Sequence, residues 1–281
     1  MFPTVIRSSY PYTVSGEFPG EGDALELLPL MAFVAGVTSR LRIVSSVMIV
    51  PYRNPVVTAK MLATLDVLSG GRVILGAGVG WFKEEFEALR AEAFERRGPV
   101  TDEYLRLMRE CWSREPVSWQ GSFYKMEAVS ALPKPRQVGG IPIWTGGHTD
   151  VALRRAGELS DGWHPIGLRP PAMLLPEEFR DKVAIVHDWA RKAGRDPQAV
   201  TISFRCPLEV LPSRAKPAAG DRTLFRGTAA QVKGDIMTYA ALGVTHFVFD
   251  LVAPDLKGQL ALMERFADEV RSRLPRSPKR A

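Results

Sequence analysis

At 281 residues, with 46% apolar and 24% charged side chains, the chain can bury the core of a globular enzyme, and one α/β barrel fits this length as well as two domains do. No run approaches ~18 uninterrupted apolar residues, and MFPTVIRSSYPYT carries no signal-peptide stretch, so a membrane span is excluded and a cytoplasmic location expected. The net charge of +6 comes from basic residues that are scattered and rarely alternate with aromatics, which disfavours nucleic acid and suits an anionic small molecule.

Residues 1–22 are rich in Pro, Gly, Ser and Tyr and read as a loop; 25–38 is apolar at helical spacing. The stretch RLRIVSSVMIVPYRNPVVTAKMLATLDVLSGGRVILGAGVGW, residues 40–81, then carries two β-rich runs (41–50 and 73–75) around one helix, with Asn54-Pro55 to start the helix and Gly70-Gly71 to stop it. That is a βαβ unit, so the two strands lie parallel and ligands meet their carboxyl ends. Helices are expected over 83–97 and 101–114, the second opened by Thr101, and a short β excursion over 116–126 turns at Gly121. Further along come a strand at 141–144, a helix at 151–159, a strand at 162–166, a helix at 176–193 and a strand at 201–210. A Pro/Gly-broken loop at 212–226, a helix at 229–242, a strand at 245–252 and a helix at 258–274 complete the chain, before a basic tail at 276–281. Six strands alternating with helices mean a parallel α/β fold, barrel or doubly wound sheet, and the count alone suits the open sheet better.

Four short stretches could carry chemistry. Gly76–Gly80 (GAGVG) lacks the glycine spacing and later acidic residue of a dinucleotide fingerprint; it reads either as close strand packing or as bare backbone for a flat ligand. Thr145-Gly146-Gly147-His148-Thr149 precedes a helix and, having no lysine after its glycines, reads first as a phosphate cradle without nucleotide hydrolysis, and otherwise as a simple loop with Thr149 or Asp150 as helix cap. Trp163 and His164 stand at the start of a strand, where each could wall a ligand or belong to the core. Ser45-Ser46-Val47 puts small residues at a strand end, which reads as an ordinary strand or as backbone that can press on a ring. The histidines show no H-x-x-x-H spacing, Cys111 and Cys206 lie far apart and read as buried thiols, and no metal site is expected. The absence of G-x-S-x-G excludes a hydrolase elbow.

Taken together, SSVMIVPYRNPVVTAKMLATLDVLSGGRVILGAGVGW, RGPVTDEYLRLMRECWSREPVSWQGSFYKME and PIWTGGHTDVALRRAGELSDGWHP resemble the luciferase-like monooxygenase superfamily, most closely its coenzyme F420-dependent oxidoreductase branch. The resemblance covers residues 1–274 and implies a TIM (β/α)8 barrel, one domain over 1–275, that lacks its first two strands: roughly 35–40 residues ending in an Asp-His or Glu-His pair would precede Met1. It implies that Ser46–Val47 is a non-prolyl cis peptide behind the deazaflavin ring, and that Gly78, Val79 and Gly80 line the ring and ribityl chain. It further implies that Gly146, Gly147, His148 and Thr149 hold the phosphate and that Trp163 and His164 sit beside the cofactor. The expected activity is hydride transfer between F420 and a small organic substrate in a cytoplasmic homodimer. An FMN-dependent monooxygenase and a catalytically silent deazaflavin-binding protein are the alternatives. The family's usual catalytic histidine falls in the absent segment, so no catalytic acid or base is assigned.

Overall fold

A computed structural model of the chain describes residues 25–212 and 222–275. The expected loop at 1–22, the tail at 276–281 and most of the 212–226 loop lie outside the described residues. The described residues group into two compact units, one drawn from Met1–His164 with Ile185–Val200, the other from Pro165–Ala184 with Thr201–Ala281.

The first unit runs α1 (Leu27–Val37), β1 (Ile43–Val44), β2 (Met48–Ile49), α2 (Pro55–Ser69), β3 (Val73–Gly78), α3 (Lys83–Ala88) and α4 (Arg97–Ser113). A hairpin of β4 (Val117–Gln120) and β5 (Lys125–Val129) follows, then β6 (Ile143–Thr145), α5 (Asp150–Leu159) and β7 (Gly162–Trp163). β1 and β2 both lie parallel on β3, which is paired with β6, which is paired with β7. The helix between the first strands is set as its sequence predicts: Asn54 accepts from the Val56 and Val57 amides, and Gly70 ends it at φ 74°. β3 is buried along nearly its whole length, the mark of a parallel strand covered on both faces, and packs with Leu62 of α2 and Leu105 and Met108 of α4 in one apolar core.

Three expectations in this unit are corrected. The run 41–50 is not one strand but β1 and β2, interrupted where the Ser46–Val47 peptide is cis. Ser45 keeps the ladder together there: its hydroxyl donates to the Gly76 carbonyl and accepts from the Gly76 amide, both at 2.9 Å. The run 83–97 is not one helix; Arg90 takes φ 51° and the Ala91 amide reaches back to the Phe86 carbonyl, which closes α3 in a left-handed turn. α4 then starts at Arg97, not Thr101, whose hydroxyl instead donates to the Arg97 carbonyl one turn back inside the helix.

The amino ends of these strands are stitched by side chains. Arg72, just before β3, donates to the carbonyls of Ala35, Thr38 and Leu41 and so holds the end of α1 against the start of β1. Asp66, fully buried, accepts from the Gln137 amide and from its side chain, while that side chain also donates to the Val73 carbonyl. Asp161, just before β7, accepts from Arg109 and from the Ile143 amide.

In the second unit β8 (Thr201–Val210) lies parallel between β9 (Arg226–Gly227) and β10 (Val244–Leu251), and Ile166 makes an isolated parallel bridge to Arg205. α6 (Pro176–Lys192) begins in this unit and ends in the first. Its Phe179 joins an aromatic core with Phe204, Phe225 and Tyr239, the Phe204 and Tyr239 rings stacked at 4.6 Å. α7 (Ala229–Ala241) opens with a capping box between Thr228 and Gln231. The helix expected over 258–274 is α8 (Leu256–Arg265), continued by a π turn at Phe266–Val270 that sets Phe266 edge-on to Phe249 and buries Val270. β1 with β2, β3, β6, β7, β8 and β10 are the six expected strands, and β9 is added to them. No helix among the described residues is long and apolar enough to cross a membrane.

Candidate functional site

Strand register gathers the singled-out residues of the first unit. Ile49 lies beside Gly78, Ala77 beside Thr145, and Thr145 beside Trp163, so β2, β3, β6 and β7 end at one level. With strands ~4.8 Å apart, the chain leaving β3 (Gly78–Gly80), the chain leaving β6 (Gly146–Thr149) and His164 after β7 fall within roughly 10 Å across the sheet.

At the β3 end the glycines meet protein. A Cβ on Gly76 would overlap the Ser45 carbonyl oxygen. One on Gly78 would come within 2.7 Å of Val47, and one on Gly80, at φ 84°, within 2.8 Å of Phe86. These approaches leave Val47 36% exposed beside half-buried Gly78, Val79 and Gly80, an apolar patch edged by bare backbone. The Ser46–Val47 peptide is cis, as the family resemblance implies.

At the β6 end, Gly146 and Gly147 lead into α5, whose N-cap is Thr149; its side chain accepts from the Ala152 amide at 3.4 Å. A hydroxyl used as an acceptor still has its own proton to donate. Gly147 takes φ 97° and, like Thr149, is exposed, whereas Gly146 and His148 are half-buried. The first-turn N–H groups and the positive end of the helix dipole suit an anion here.

Trp163 and His164 join these two ends from below. Trp163 is fully buried, and its indole N–H donates to the Gly147 carbonyl at 3.0 Å, so it bears on the site through the loop that it holds. His164, 3% exposed, has its Nε2 2.8 Å from the Ser46 hydroxyl and lies against Trp144. His164 is thus a buried side chain hydrogen-bonded to Ser46.

One pair has no counterpart in the sequence reading. Tyr52 donates to Glu85 Oε2 at 2.7 Å, and the Tyr52 ring meets Phe86 edge-on at 4.7 Å, so the pair pins α3 against Gly80. Burial raises the pKa of the Glu85 carboxyl despite the opposing Tyr52 hydrogen bond, and burial with Glu85 nearby raises that of the phenol. The partners are 33 residues apart and share no local pattern, so only the fold reveals them.

A flat ring with an anionic tail matches this donor set: an apolar patch centred on Val47 at one end and helix N–H groups with a hydroxyl at the other. A family model described as luciferase-like monooxygenase matches residues 9–219. An uncharacterised protein of Mycobacterium tuberculosis is 37% identical over 196 residues, which is 69% of this chain and only 65% of that protein's length. The FMNH2-dependent dimethylsulfone monooxygenase of Pseudomonas fluorescens is 33% identical over 187 residues, 66% of this chain and 49% of that enzyme. Among solved structures, the coenzyme F420-dependent tetrahydromethanopterin reductase of Methanopyrus kandleri matches with a TM-score of 0.74 at 18% identity, covering 89% of this chain and 88% of that one. At that identity the likeness shows the fold alone, the α/β fold of luciferase-like TIM barrels.

Proposed function

The chain belongs to the luciferase-like monooxygenase family, and on that premise we propose that it is an oxidoreductase that uses coenzyme F420 to exchange a hydride with a small organic substrate. The observation that carries this reading is the meeting of two unlike surfaces at one level of strand ends: Val47 against Gly78, and the first turn of α5.

When bound, the deazaflavin ring supplies or accepts the hydride. The chain's own residues hold and orient. Val47, seated where a Gly78 side chain would be, gives the ring an apolar support, and the half-buried backbone of Gly78, Val79 and Gly80 borders it. Gly146, Gly147, His148 and Thr149, with the α5 amides, hold the phosphate. His164 fixes the Ser46 hydroxyl and thereby the wall behind the ring, and the buried base formed by Trp144, Trp163 and His164 keeps water from that side. The same reading treats residues 1–275 as one luciferase-like domain, in keeping with a chain that passes from one compact unit to the other and back through α6.

A second reading, with FMN as the cofactor, is favoured by one observation: the FMNH2-dependent Pseudomonas enzyme shares 33% identity with this chain, the F420-dependent reductase 18%. Titration followed by quenching of cofactor fluorescence separates the two. The F420 reading expects micromolar F420 binding with FMN bound at least tenfold more weakly. Tight FMN with no F420 transfers the assignment to FMN, and binding of neither overturns the cofactor site.

A further inference from the structure

We propose that Trp163–His164 is a positioning element that couples the two ends of the cofactor site, an inference that rests on the reading above. Neighbouring residues of one strand end reach in different directions. The Trp163 indole donates to the Gly147 carbonyl, in the loop assigned to the phosphate. The His164 imidazole bonds the Ser46 hydroxyl, 118 residues away, at the wall assigned to the ring. The backbone between them is fixed as well: the His164 amide donates to the Thr145 carbonyl, and the Gly146 Cα sits so near the His164 carbonyl that a Cβ would lie 3.0 Å from it. Both side chains are buried, so neither replaces a direct ligand contact; they set the distance and tilt between an apolar wall and an anion cradle. A ligand bearing both a ring and a phosphate needs that spacing fixed in advance, because ordering either end on binding would cost affinity.

This arrangement divides the two residues' effects by ligand group, which mere packing would not do. The test uses pairs of ligands with and without the phosphate end: FMN against riboflavin, and F420 against its deazaflavin core with a bare ribityl chain. Trp163→Phe removes the indole donor and leaves most of the ring volume. It is expected to weaken the phosphate-bearing member of the pair about fivefold to tenfold, as the loss of one hydrogen bond does, and to leave the other within about twofold. His164→Leu and Ser46→Ala, which break one bond from opposite sides, are expected to weaken both members by a similar factor and to shift the ring's absorption band on binding. His164→Gln, whose amide reaches as far as Nε2, restores affinity. The double variant Ser46→Ala/His164→Leu is expected to be no worse than His164→Leu alone. Thermal melts of each variant confirm that folded protein is compared. Equal weakening of both ligands by Trp163→Phe, or wild-type affinity in every variant, overturns the coupling while the cofactor reading stands. A wild-type protein that binds none of the four ligands overturns the cofactor reading itself.

Discussion

The two glycine-bearing strand ends use the same residue for opposite purposes. Around Gly76–Gly80 the missing side chains are filled by the protein: the Ser45 carbonyl at Gly76, Val47 at Gly78 and Phe86 at Gly80. Around Gly146–Gly147 a Cβ would also meet protein, the His164 carbonyl at 3.0 Å and Ala152 at 2.8 Å, but Gly147 is exposed. Close packing and bare backbone were the two readings that GAGVG allows in sequence, and each end of the site realises one of them more fully. The first set of glycines brings two chain segments together; the second presents amide groups outward. Glycine content alone does not separate these roles. What separates them is exposure: Gly76 is buried, whereas Gly147 stands at the surface.

Substitutions can break that contrast, the largest effect first. Gly76→Ala forces a methyl into a backbone oxygen that has no rotamer by which to withdraw, so a loss of about 3 kcal/mol or more is expected, a fall in Tm of roughly 6–12 °C. An unchanged Tm would mean that Ser45 moves freely and that the packing role is misassigned. Gly147→Asp adds a negative charge at an exposed position, with strain from φ 97° and from Ala152 2.8 Å from the new Cβ; affinity for the phosphate-bearing cofactor should fall more than tenfold, while the melt falls less than for Gly76→Ala, whose methyl meets a backbone oxygen. Retained affinity would remove the phosphate from this loop. Gly80→Ala lies between the two. Its neighbour is the edge of the Phe86 ring, which can tilt, so calorimetry should find a loss of about 1–2 kcal/mol.

The smallest effect concerns acid and the β4–β5 hairpin, which stands apart from both strand ends. Burial would raise the pKa of Glu103, but donation by the Ser122, Phe123 and Tyr124 amides and the Trp119 indole outweighs it and leaves the carboxyl below its ordinary range. The Ser130 hydroxyl and then Lys134 hold Glu115 down to about 2. Because both values are depressed by folding, their support is complete above the ordinary carboxylate range and is lost as the pH falls below it, that of Glu115 as the pH falls toward 2. Trp119 emission should change over that interval before any global unfolding, and Glu103→Gln should flatten the change.

How far the sequence speaks depends on the range of the interaction. β8 occupies 201–210 as its apolar alternation requires, and Asn54, Pro55 and Gly70 delimit α2 through contacts of a few residues. The segment 83–97 fails by the same logic: its Ala, Glu and Arg favour helix, yet Phe86 and Phe94 pack edge-on and the chain turns between them, so tertiary contact overrides propensity. The candidate site divides likewise. Its glycines and Thr149 stand out in the chain, as do Ser46 and Val47 at a strand end, and the family resemblance adds the cis peptide between those two. The bonds from His164 to Ser46 and from Tyr52 to Glu85 depend on strand register and helix placement, which no local pattern encodes.

The stitching at the amino ends of the strands has a consequence for change. Arg72, the Asp66–Gln137 contact and Asp161 hold helix ends and strand starts with bonds that involve no residue of the candidate site. Loops at the opposite ends can therefore be exchanged, lengthened or recoded without loosening the frame that carries them. Arg72 itself is a poor place for variation: a lysine could not fork across three carbonyls, so Arg72→Lys would unsettle the frame although it preserves the charge. New substrate preferences can thus arise on one rim of this first unit while its stability is kept on the other.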